Sequence, residues 1–283
     1  MGLPLEQVRT PATRRPLDLR YGVGMRTIRA MRYVTPLREG GSLPAIVEGD
    51  DCGLYVLKFR GAGQGAKALV AELVVGELAR VAGLRVPEIV LVQVDAELGR
   101  NEPDAEIRDL LKRSVGLNLA LDYLPGSITF DPAVGPPPLE SEASAIVWWD
   151  AFTSNVDRTA RNPNLLWWHR QLWLIDHGAA LYFHHQWSDA ETSSRSAFTP
   201  IRTHALLRWA RDIAGQGARM AAALTPAAIA SVLAEVPADW LTDEARFVSP
   251  AEHREAYAQY LGDRLASSTI FTEEAERARD ALV

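Results

Sequence analysis

Lysine is scarce in this chain, found only at 58, 67 and 112 among 30 basic side chains, and Lys58 ends the most strand-like run, LYVLKF. A strand-end lysine commonly reaches for solvent, whereas one held among apolar neighbours needs a carboxylate partner. Glu72 and Glu77 follow on the next helical stretch, and either could supply it. Further on, Asp157 and Asn162 share a polar loop, SNVDRTARNPNLL, of the kind that carries catalytic groups between rigid elements. Asn, Asp and Pro are also ordinary turn residues. Asp176 lies fourteen residues beyond Asn162, leaving the apolar run LWLID toward His177 and Gly178, where a carboxylate can cap a turn or meet a metal. Singly, each has a plain structural explanation. Their order is more selective: strand lysine, helix glutamate, crossing strand, Asp-x₄-Asn loop, hairpin, Asp-x-Gly. Phosphoryl transfer of the kinase type needs those parts. A lysine neutralises the α/β-phosphates, a glutamate orients it, an aspartate positions the acceptor hydroxyl, and an Asn and an Asp hold Mg²⁺.

The elements that must position these residues follow from the pattern. Residues 1–30 are punctuated by Arg and Pro with weak periodicity and read as a leader or arm. From Met31, strand-type runs alternate with the turn signals Gly40-Gly41 and Gly49-Asp50-Asp51, which predicts an antiparallel meander. A glycine-rich connection, RGAGQGAK, leads to a helix around Leu69–Val81 that Gly83 stops. EIVLVQVD is a further strand, RDLLKR a short helix, and the run through LDYL a crossing strand that exits at Pro125-Gly126. DPAVGPPPLESE reads as a linker, and the chain beyond it as mostly helical, apart from a hairpin formed by LLWWH and LWLID. The expected fold class is α+β. A small β-rich N-lobe with one helix spans 31–126, and a larger α-helical C-lobe spans 127–283. A cleft between two such lobes is a usual ligand site.

Composition narrows the function classes. The chain has 283 residues, 47% hydrophobic and 23% charged, with a net charge of −6, which disfavours a generic basic nucleic-acid binder. One cysteine and six histidines make no zinc framework. No apolar run reaches the ~18 residues of a membrane span, and the first twenty residues lack the apolar stretch of a secretory signal. The expectation is a cytoplasmic protein with neither membrane nor nucleic-acid partners.

With these residues in place, the sequence resembles the HipA-like kinases, relatives of the bacterial persistence toxin that share the fold plan of protein kinases and phosphatidylinositol kinases. The resemblance rests on VLKF at 56–59, AELVVGELARVAGLRVP at 71–87, LDYLPGS at 121–127, NVDRTARNPNLL at 155–166 and LWLIDHGAALYFHH at 172–185. It covers about residues 31–200, and the chain looks closer to a stand-alone HipA-like domain than to the longer two-domain toxin. It implies a bilobal protein-kinase-like fold. It matches Lys58 to the nucleotide-phosphate lysine, Glu72, rather than Glu77, to the helix glutamate, and Asp157 to the catalytic aspartate. Asn162 and Asp176 match the metal ligands. Two departures stand out: His177 replaces the usual Phe after the metal-binding Asp, and no His-Arg precedes Asp157. Both fit the HipA and lipid-kinase side of the superfamily.

The phosphate cover is expected at Gly40, Gly41 and Ser42, between the first two strands, in preference to Gly61–Gly65, which reads as a strand-to-helix link. Adenine is expected along Leu121, Asp122, Tyr123 and Leu124. Trp148-Trp149 and Trp167-Trp168 read as core, His184-His185 as a segment at the cleft mouth, and Arg158 and Arg161 as either phosphate-facing or solvated. The implied activity is ATP- and Mg²⁺-dependent transfer to a hydroxyl, a Ser or Thr of a protein by resemblance, with room for a regulatory partner protein. The alternatives are a small-molecule kinase, a pseudokinase-like ATP-binding module and a structural α+β domain.

Overall fold

The computed structural model describes residues 24–37, 43–100 and 102–282. Five strands, β1 (Thr27–Pro36), β2 (Ala45–Gly49), β3 (Leu54–Lys58), β4 (Ile89–Val94) and β5 (Gly116–Asp122), close into a barrel in the order β1-β2-β3-β5-β4. Side-chain alternation separates two cores. Val47, Tyr55, Leu57, Val90, Val92 and Ala120 fill the barrel. Ile89, Leu91, Leu119 and Leu121 face outward and join the larger core with the helix α1 (Ala66–Val81). Strands β4 and β5 are thus covered on both faces, which is why Ile89–Leu91 and Leu119–Leu121 are unbroken apolar runs.

Three features depart from the sequence expectation. The meander is antiparallel from β1 to β3, but the barrel closes by a parallel pairing of β1 with β4, Thr27 opposite Leu91. Strand β1 also begins inside the stretch read as a leader. Ile28 and Ala30 point inward between exposed Arg29 and Met31, an alternation too short to stand out among arginines. Lastly, the short helix expected at RDLLKR begins three residues earlier, at Ala105, so the strand-rich half carries this helix as well as the one assigned to the lobe. Helix α2 (Ala105–Arg113) packs Ile107, Leu110 and Leu111 into the barrel core, and Asp104 caps its start by accepting the Glu106 N–H at 2.9 Å.

The remainder is built on α3 (Glu140–Thr153), whose last eleven residues are all buried. Trp148 stacks on Phe152 at 5.5 Å and lies against Phe271, so these tryptophans are core as expected. Helix α5 (Ile213–Ala223) crosses α3 so closely that a Cβ on Gly217 would lie 2.2 Å from Trp148 Nε1. A short sheet of β6 (Ile128–Thr129), β7 (Leu165–Trp168) and β8 (Gln171–Leu174) contains the anticipated hairpin. Helices α4 (Ala190–Ser194), α6 (Pro226–Ala234), α7 (Pro250–Ala266) and α8 (Ser268–Asp280) complete this half. Buried Arg264 ties α7 to the end of α3 through the carbonyls of Ala151 and Phe152. Among the described residues no single helix is long and apolar enough to cross a membrane.

Candidate active site

A cavity of about 940 Å³ opens where the barrel and α1 meet the β7–β8 sheet. That is the size of a small-molecule site. Nine of the residues singled out from the sequence line it: Lys58, Glu72, Leu121, Asp122, Tyr123, Leu124, Asp157, Asn162 and Asp176. Gly40, Gly41 and Ser42 lie outside the described residues. Pro36, Leu37 and Pro44, which flank them, line the cavity, and so do Ala62, Gly63 and Gln64. The second glycine connection therefore both joins β3 to α1 and borders the site. Gly63 there has φ +48° with nothing near an added Cβ, an open left-handed position.

Lys58 ends β3, and register places it opposite Leu119 on β5. Its ion-pair partner is Asp176, Nζ to Oδ1 at 2.7 Å, and not the helix glutamate. Burial pulls the ammonium down, but Glu72, Asp176 and Asp157 together outweigh it and raise its pKa, so Lys58 stays charged. Glu72, on the buried face of α1, is 1% exposed. Burial pushes its carboxyl up, while the Lys58 charge and His177 pull it to about 2. Glu77, the other candidate, faces Arg80 at 3.5 Å instead.

The polar loop after α3 is internally braced. Asp157 Oδ2 accepts from Asn162 Nδ2 at 2.8 Å and from Asn164 Nδ2 at 3.1 Å. Asn164 was missed by the sequence reading because the Asp-x₄-Asn spacing ends two residues earlier. The signal available was the Asn-Leu-Leu step straight into β7. Asn164 is buried with φ +48°, a conformation asparagine tolerates better than most residues. Asp176 also sits at φ +56°, so both ends of the site hold left-handed backbone.

Donor chemistry fits a hard divalent cation. Asn162, Asn164 and Asp176, which carry side-chain oxygens suited to such an ion, all line the cavity. Among the described residues no cluster of three His, Cys, Asp or Glu side chains could hold a metal alone. Mg²⁺ characteristically takes one or two carboxylates and completes its shell with phosphates and water. For adenine, the N–H groups of Asp122 and Tyr123 are already given to the carbonyls of Glu88 and Leu54. That narrows the expected backbone contacts toward Leu124.

Other expectations resolve differently. His177 is fully buried with Nδ1 3.5 Å from Glu72 Oε1, and His184 is buried with Nδ1 3.0 Å from Tyr257 Oη. His185 reaches Gln64 at 3.1 Å, so of the pair only His185 borders the cavity mouth. Arg158 is neither solvated nor turned toward phosphate; it is buried against Asp150. Arg161 is exposed.

A family profile described as HipA-like kinase matches residues 31–271. The chain belongs to the HipA-like kinase family. It is accordingly a phosphotransferase by family. Among solved structures, a Helicobacter pylori proinflammatory kinase, CtkA, is similar with a TM-score of 0.55 at 13% identity, over 89% of this chain and 99% of that one. At this identity the likeness concerns the fold, which is that of kinases. The Golgi casein kinase with Mn/ADP bound aligns at a TM-score of 0.46 and 12% identity, over 93% of this chain and 76% of that one. No curated protein matches the sequence.

Proposed function

We propose that this HipA-like kinase transfers the γ-phosphoryl group of ATP, with Mg²⁺, to a Ser or Thr hydroxyl of a protein. The observation that carries this reading is the convergence of Lys58, Glu72, Asp157, Asn162, Asn164 and Asp176 on one nucleotide-sized cavity. The molecule works as two lobes, with residues 31–126 binding nucleotide and 127–283 supplying the catalytic loop.

Lys58 neutralises the phosphates, and Glu72 keeps it charged within a buried wall. When bound, the divalent cation supplies neutralisation of charge on the phosphate oxygens; Asn162, Asn164 and Asp176 would hold it. Asp157 has one oxygen committed to the two asparagines. Its other oxygen is left to accept a hydrogen bond from the acceptor hydroxyl and take its proton. Catalysis here is positioning and charge neutralisation, with no covalent enzyme intermediate.

The test is a thermal-shift titration with ATP, with and without Mg²⁺, on the wild type and Asp176→Ala. Ligand at ~100 times its dissociation constant adds about 2.7 kcal/mol, a rise in Tm of roughly 5 °C for a chain of this size. The shift should need Mg²⁺ and vanish in the variant. No shift at millimolar ATP, or an undiminished one in Asp176→Ala, refutes the assignment.

A further inference from the structure

The catalytic loop and the Asp176 strand end are separate pieces of chain, and one buried side chain touches both. Arg158 is 1% exposed, and its Nε donates to Asp150 Oδ2 at 2.6 Å. From the same guanidinium, Nη1 donates to the carbonyl of Asn164, and reaches those of Pro163 at 3.5 Å and Ile175 at 3.4 Å. Ile175 immediately precedes Asp176, and its N–H donates to the Asn164 carbonyl at 3.1 Å. The two segments offering metal ligands are thus pinned to one cation.

That cation is itself held in place. Asp150 Oδ2 also accepts from His204 Nε2 at 2.8 Å, and His204 Nδ1 accepts the Leu206 N–H at 3.0 Å. This pairing places the ring proton on Nε2. Asp150 Oδ1 accepts from Asn155 Nδ2 at 3.1 Å, and Asn155 Oδ1 in turn accepts the Asp157 N–H at 3.1 Å. Burial raises the Asp150 carboxyl, but Arg158 and His204 prevail and hold it to about 2. Asp150 on α3 is therefore a fixed anion from which the Asp157 backbone, the Arg158 fork and the His204 segment are all suspended.

Resting on the kinase reading above, we infer that Arg158, clamped by an Asp150 that His204 holds from the other side, is a positioning residue that sets the spacing between the Asn162–Asn164 loop and Asp176. A planar guanidinium can bond a carboxylate and several carbonyls in fixed directions, which a lysine ammonium cannot. Arg158 does not line the cavity and acts through the two segments it joins.

The experiment compares Arg158→Lys with wild type in the full chain. Lysine keeps a charge for Asp150 but loses the fork. Amide exchange of the nucleotide-free protein should rise about tenfold across 159–165 and 174–178 while α7 and α8 keep their protection. In thermal-shift titrations, the Mg²⁺ midpoint for ATP binding should rise about tenfold, the size expected when the support behind a metal ligand is removed. A merely structural role would lower protection throughout α3–α8 and leave the midpoint of folded protein unmoved. If Arg158→Lys does not fold, His204→Ala, which loosens Asp150 from the far side, should move the same two readouts in the same direction. Wild-type loop exchange and a wild-type Mg²⁺ midpoint in a folded variant would overturn the inference alone. Absence of any Mg²⁺-dependent shift in the wild type would overturn the kinase reading and the inference together.

Discussion

Glu72 offers a quantitative check on the electrostatics of the cavity. The carboxyl is almost wholly buried and sits near a charged lysine. In the unfolded chain it titrates near 4.5, and in the folded protein at about 2. A gap of about 2.5 pH units, at about 1.4 kcal/mol each, is worth about 3 kcal/mol of folding stability. The folded value is the lower one, so the stabilisation is complete above about pH 5 and fades as acid protonates the group, until it is gone below about pH 2. Integrating the linkage, about 2 kcal/mol of it is lost between pH 6 and pH 3. Glu72→Gln removes this titration while keeping the shape of the side chain. Urea unfolding of both proteins at pH 6 and pH 3 should show the gap between them narrowing by about 2 kcal/mol on acidification. Parallel losses in the two proteins would mean that Glu72 does not feel Lys58 as the structure requires.

Two other substitutions separate chemistry from packing. Asp157→Asn should retain Mg²⁺-dependent ATP binding by thermal shift while lowering phosphate transfer by about 10²–10⁴-fold, the range for loss of a general base; transfer at the wild-type rate would exclude the role given to Asp157. Gly217→Ala forces a methyl to within 2.2 Å of Trp148 Nε1, and should cost about 1–3 kcal/mol as overpacking, read as a lower Tm with the ATP-induced shift preserved.

How far the sequence reached depends on whether a residue's environment is local. Lys58 and Asp176 were legible as candidates because each ends a short apolar run, and Asp157 because it lies in a polar loop between a helix and a strand, so that the strand or loop around each is built from its neighbours. The partner of Lys58 was not. Glu72 and Glu77 were the expected counter-ions since they lie on the next helix, whereas the ion pair goes to Asp176, more than a hundred residues away, because the chain leaving β8 brings Asp176 to the end of β3. Arg158 carries the same lesson. In the sequence it is one of two arginines in a polar loop, and only the fold shows that Asp150, one turn inside the preceding helix, draws it into the interior. Barrel closure escaped for a related reason: a parallel β1–β4 pairing depends on the path of the chain and leaves no periodic mark in either strand.

The Lys58–Asp176 pair also bears on how the site must accept its ligand. One ammonium faces three carboxylates, Glu72, Asp157 and Asp176, so the wall that the proposed function assigns to a polyphosphate is formally anionic. A nucleotide alone would bring negative charge to a negative cavity and meet a lysine already engaged by Asp176 at 2.7 Å. A divalent cation changes both terms. In the proposed site Asp176, as one of the residues that would hold the cation, would be drawn from Lys58, leaving the ammonium to meet phosphate, and the excess charge would be offset. On the proposed kinase reading, metal and nucleotide binding would therefore be coupled through charge. On this argument Asp176→Asn should weaken metal-dependent ATP binding yet strengthen whatever weak binding ATP has in EDTA, since it removes one negative charge and releases Lys58. Weaker binding in both conditions would show that Asp176 contributes to nucleotide affinity by a route other than its charge.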